Sequence, residues 1–166
     1  MIPVTQTKIV IKNSKDEFVQ RGNCFAACVA SIMELPITEV PNVEVFYHLD
    51  TGYAQEVMMT FLESKGWELM TDERFLLFHC GWEHIDNINC QHEKNYQRVL
   101  ELMPDHDKRD IIKYELKDKY YFASGKSARG VSHICIFKNG KLIHDPHPTK
   151  EGLQTIEYFE TLEKKS

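Results

Sequence analysis

A cysteine, a histidine and an aspartate stand in this sequence where their side-chain types could carry out thiol-dependent acyl transfer. Cys24 follows Arg21-Gly22-Asn23 and opens an apolar, alanine-rich run over residues 24–35. If that run is a helix, the N–H groups and positive end of its first turn favour a thiolate at Cys24. His133 sits at the start of the otherwise apolar segment 131–137, where a polar ring needs a partner. Asp145 ends the segment Leu142-Ile143-His144-Asp145-Pro146. A thiol, a base and a carboxylate to orient the base are the parts such chemistry requires. The plain alternative is that Cys24 is a small core residue, as Cys28 is read to be from its place a full turn inside the helix.

Whether His133 and Asp145 can meet depends on the turn around Asn139-Gly140. A two-residue loop pairs 138 with 141 and sends the two side chains to opposite faces of the sheet. A three-residue loop over 138–140, with Gly140 left-handed in a bulge, pairs 137 with 141 and 133 with 145. That register puts His133, Cys135, Phe137, Ile143 and Asp145 on one face and Ile134, Ile136, Leu142 and His144 on the other. It also leaves an apolar face for the Cys24 helix, and we take it as the expectation, although Asn-Gly alone favours the shorter loop.

The elements that must position these residues follow from pattern. Residues 4–12 read as a strand and 13–21 as a loop. Residues 24–35 read as a buried helix with Asn23 as N-cap and Pro36 as its stop. A turn follows at 37–42, then a helix over 54–65 with Val57, Met58, Phe61 and Leu62 on one stripe, closed by Gly66. Strands are expected at 68–70, 75–78, 120–123, 132–138 and 141–145, with the prolines at 146 and 148 ending the last. Residues 81–119 are polar and read as a helical insertion, with helices near 96–103 and 108–116.

Composition narrows the class. At 166 residues the chain fits one domain, and a formal charge of −5 lacks the basic footprint of a nucleic-acid binder. No apolar run reaches the roughly 18 residues of a membrane span. No secretory signal is visible at the N-terminus, and five cysteines are an odd number, so a reduced, cytoplasmic protein is expected.

Residues 22–31 followed by Leu35-Pro36 and Val40-Pro41, together with Ala123-Ser124-Gly125, residues 127–133 and 140–148, resemble an uncharacterised group of bacterial and phage papain-like proteins. More distantly they resemble the cysteine peptidase domains of bacteriocin exporters. The resemblance covers roughly half of the chain and leaves 81–119 unmatched. It implies an α+β papain-like fold, with a buried N-terminal helix packed on an antiparallel sheet. It also implies Cys24 as nucleophile, His133 as base and Asp145 as orienter. Such enzymes place a glutamine upstream of the cysteine to bind the oxyanion; Gln6 is the first candidate and Gln20 the alternative, with the Cys24 N–H as the other donor.

The expected function is hydrolysis of an amide or peptide bond through an acyl-enzyme. Peptidase, isopeptidase, amidase and acyltransferase chemistry share the constellation. The partner is a peptide or amide substrate, which could belong to a host or phage protein. The competing reading is a papain-like scaffold used as a binding or inhibitory module. No cofactor and no metal are expected. Cys80, His84, Cys90 and His92 offer zinc-type donors, but their Cys-x-His half is unusual for a structural site. His147 is read as lying in a turn, exposed or at a pocket mouth. Trp67, Trp82, Tyr120 and Tyr121 are read as core packing rather than a groove.

Overall fold

The computed structural model describes residues 1–46, 50–70 and 118–166, with backbone alone at 89–90 and 157–158. The expected strand at 75–78, the helices of the insertion, Trp82 and the Cys80, His84, Cys90 and His92 set lie outside the described side chains. The fold is α+β. Two helices, α1 (Cys24–Met33) and α2 (Thr51–Ser64), accompany a short hairpin, β1 (Ile11–Lys12) with β2 (Phe18–Gln20), and a mostly antiparallel sheet. That sheet runs β3 (Trp67–Met70), β8 (Thr155–Lys164), β5 (Tyr120–Lys126), β6 (Ser132–Lys138), β7 (Lys141–His144), with β4 (Asn89–Cys90) pairing parallel to β8. Among the described residues no helix is long and apolar enough to cross a membrane.

The chain forms two compact units: Met1–Leu69 with Asp145–Glu151 and Leu162–Ser166, and Met70–His144 with Gly152–Thr161. In the first, α1 is almost wholly enclosed, with Ala26, Ala27, Cys28, Val29 and Ala30 at zero exposure. Alanine has the highest helix propensity and loses no side-chain entropy on burial, which suits a helix covered on every side. The helix stops two residues short of expectation. Glu34 turns left-handed at φ 58°, and the Glu34 and Leu35 N–H groups both donate to the Ala30 carbonyl. Pro36 drives Leu35 away from helical dihedrals, so the termination begins before the proline. Helix α2 starts three residues earlier than expected because Asp50 caps it, its carboxylate accepting from the Tyr53 N–H at 3.1 Å. Such a cap is worth about 1 kcal/mol.

The expected strand over 4–12 is reduced to Ile11–Lys12. The residues before it hand their N–H groups to other partners. Val4 donates to Ser31 Oγ, Gln6 to the Pro146 carbonyl, and Thr7 and Lys8 both to Asn23 Oδ1. An extended segment whose donors are satisfied this way has no need of a ladder. Residues 18–20, expected in a loop, pair back on the Ile11–Lys12 strand. Strand β8 was not expected at all. Its run Thr155-Ile156-Glu157-Tyr158-Phe159-Glu160-Thr161 carries the β-branched and aromatic signal, but charged residues recur through it.

In the second unit the β6–β7 turn overturns the expected three-residue loop. Lys138 pairs with Lys141, and Asn139 and Gly140 have φ values of 51° and 76°, the two-residue type I′ geometry. The turn is locked from outside. Asp118 and Asn139 exchange two hydrogen bonds, Asp118 N–H to Asn139 Oδ1 and Asn139 Nδ2 to the Asp118 carboxylate, while the Gly140 N–H donates to the buried Tyr121 hydroxyl. Further along, the pairing slips. Phe137 faces Leu142, yet Ile136 faces His144, so Ile143 is an extra residue. The bulge leaves Leu142 and Ile143 41% and 44% exposed, which corrects the placement of Ile143 on an apolar inner face.

Gly125 marks where β5 comes closest to β8. A Cβ there would fall on the Thr155 carbonyl, next to the irregularity between Ser124 and Gly125. Gly125→Ala should lower stability by about 1–3 kcal/mol through overpacking. Urea unfolding with an unchanged midpoint would contradict the close approach.

Candidate functional site

Cys24 is the first residue of α1 and is half-buried; with Cys28 and Cys135 it is a thiol rather than part of a disulfide. Asn23 occupies the N-cap position, but its side chain does not cap the helix. It is instead a clamp: Oδ1 accepts from Thr7 and Lys8 N–H at 3.0 and 2.9 Å, and Nδ2 donates to Thr7 Oγ1 at 2.9 Å. The clamp fixes residues 6–8 beside the turn that leads into Cys24.

Gln6 is thereby held at 7% exposure, with Nε2 donating to the Lys8 carbonyl at 2.8 Å. An amide nitrogen has two hydrogens, so one remains for another acceptor. Gln6 Oε1 is buried without a partner among the described residues. The same Nε2 would lie 3.6 Å from a Cβ built on Gly22, two residues before the cysteine. Gln20 is engaged elsewhere, in β2, where its Nε2 donates to the Ile9 carbonyl across the hairpin.

The helix cap comes from a residue that carries no sequence motif. Glu44, in the 3₁₀ turn Val43–Phe46, is 7% exposed, and its Oε1 accepts from the Phe25 N–H at 2.6 Å. Burial pushes its carboxyl up to about 7, opposed by hydrogen bonds from the backbone N–H groups of Glu44, Phe25 and Ala26. Its Oε2 has no partner among the described residues. A single acid between Val43 and Val45 was the available signal.

His133 lies on β6 at 5% exposure, opposite Gly125 of β5. Asp145, the residue after β7, is 3% exposed; one carboxylate oxygen accepts from the His147 N–H at 2.7 Å and its carbonyl accepts from Lys150 Nζ at 2.6 Å. The bulge decides which way this residue is turned. Without Ile143 as the extra residue, a two-residue loop would give Asp145 the parity of Ile134, away from His133. With Ile136 paired to His144, the next residue takes the parity of Cys135 and His133.

His147 departs from expectation: it is 8% exposed, and its Nδ1 lies 2.9 Å from Thr149 Oγ1 and accepts from the Thr149 N–H. It belongs to the turn that holds Asp145. His144, at 7% exposure, pairs with Ile136 on the other parity. Tyr121 is core, as expected, and Trp67 lies half-buried beneath Lys164 Nζ.

Asn23→Ala removes the acceptor of two N–H groups and should cost about 1–3 kcal/mol. Hydrogen exchange at the Thr7 and Lys8 amides should accelerate more than exchange within α1; equal acceleration everywhere would show that the clamp is not local. Comparison of the chain with protein-family models, with curated proteins and with solved structures finds no match.

Proposed function

We propose that the protein is a cysteine-dependent hydrolase of amide or peptide bonds, with a papain-like arrangement of Cys24, His133 and Asp145. The observation that carries this reading is the β7 bulge, which restores the shared parity of His133 and Asp145 that the two-residue turn alone would destroy. Cys24 at the start of α1 and Gln6 clamped beside the approach to it support the same reading.

In this mechanism His133 takes the proton of the Cys24 thiol, and the thiolate attacks the substrate carbonyl carbon. The resulting oxyanion is met by Gln6 Nε2 and the Cys24 backbone N–H. Collapse breaks the carbon–nitrogen bond, and the imidazolium returns its proton to the leaving amine. Water then attacks the thioester with His133 as base, releasing the acid and regenerating the thiol. Asp145 holds the imidazole in one tautomer and stabilises it while it is charged.

The test is turnover of a peptide and amide library by the wild type beside three variants. Cys24→Ala should abolish turnover. His133→Ala should lower it by a factor of at least about a hundred, the scale of general acid–base catalysis. Asp145→Asn should lower it while leaving the unfolding midpoint near that of the wild type. Full turnover in Cys24→Ala would overturn the proposal. Absence of turnover, with Cys24 no more reactive toward iodoacetamide than the other cysteines, would leave the scaffold serving as a binding module.

A further inference from the structure

Helix α1 carries an unusual cap. Polar caps are commonly local, from the residue at the N-cap, but Asn23 commits its side chain to Thr7 and Lys8. The first-turn N–H groups are met instead by a carboxylate nineteen residues away, Glu44 Oε1 on Phe25 N–H. This acid is buried, its second oxygen is unpartnered among the described residues, and its accepted hydrogen bond comes from the residue next to Cys24.

We propose that Glu44 is a positioning residue for Cys24: it anchors the first turn of α1 and, through its charge, governs how readily the Cys24 thiol ionises. The inference rests on the reading of Cys24 as the reactive thiol. The positive end of a helix favours a thiolate, and a carboxylate placed on that end opposes it. When Glu44 is protonated, the helix end acts on the thiol undiminished. When it is ionised, the two negative groups disfavour each other, so the pair titrates as a coupled unit.

Two other charged or titratable groups bear on Cys24: half-buried Arg21, three residues before it and stacked over the Phe18 ring, carries a fixed positive charge, and His133 is its base in the proposed mechanism; neither is a carboxylate on the first turn. Glu39 of the 3₁₀ turn Ile37–Glu39, and Asp50, Glu56 and Glu63 at or on α2, are all exposed to solvent. Burial and backbone hydrogen bonds are the causes that set the carboxyl of Glu44. Exposed acids act through water and are screened, whereas Glu44 acts from within the protein.

The experiment follows alkylation of Cys24 by iodoacetamide from pH 5 to 9, mapped by mass spectrometry, in the wild type and in Glu44→Gln. The glutamine keeps an oxygen for the Phe25 N–H and removes the charge. The midpoint for Cys24 should fall by about half a unit or more, while that of Cys28 should not follow it. Coupling is reciprocal, so the Glu44 carboxyl, followed by ¹³C NMR in Cys24→Ser, should titrate at lower pH than in the wild type. The second measurement stands even where Glu44→Gln does not fold. If both midpoints stay at their wild-type values, Glu44 is a cap and nothing more. Neither measurement uses a substrate, so failure of the hydrolase reading and failure of this inference give different results.

Discussion

One extra residue in β7 is the constraint on which the parity of the residue after that strand depends. A type I′ turn at Asn139-Gly140 matches the right-handed twist of its strands, and both residues tolerate positive φ. Its register, continued without interruption, would place Asp145 on the wrong face of the hairpin. Ile143 breaks that register by bulging out, which exposes both itself and Leu142. A β-bulge re-aims side chains without altering strand order, and here it sets the parity with which the chain leaves β7.

The first unit solves a different problem, that of holding an irregular segment in place. Residues 4–8 lie outside any strand, and the amides of Val4, Gln6, Thr7 and Lys8 are met individually by Ser31, the Pro146 carbonyl and Asn23. Asn23 is thereby diverted from the helix it precedes, and the helix draws its cap from Glu44. These two exchanges of partner are one event. Committing the Asn23 amide to Thr7 and Lys8 fixes Gln6, and leaves the first turn of α1 to an acid that burial makes reluctant to ionise.

Much of this was legible in the residues. Alanine content marked α1 as buried, Gly66 closed α2, and the apolar run of β6 has the bounds its pattern suggests. Cys24, His133, Asp145 and Gln6 stand out by type and by resemblance. Glu44 does not, because a single acid between two valines looks like a surface residue until the fold encloses it. Strand β8 was hidden because its alternation is interrupted where the pairing slips between Ser124 and Gly125, and because glutamates recur along it.

The hairpin separates what local chemistry determined from what only the tertiary structure decided. Asn-Gly determines a two-residue turn, since left-handed dihedrals are a property of those two residues and need no distant partner. The bulge at Ile143 has no such signature. It depends on which register lets β6 and β7 pair while Asp145 joins the turn held by His147 and Lys150, and those contacts exist only once the chain has folded. The same holds for Asn23 and Glu44. The sequence shows that a polar residue precedes the helix and an acid lies further on, but the choice between them as cap is made by competition for backbone donors. That competition is settled by which groups are left without water when the core closes.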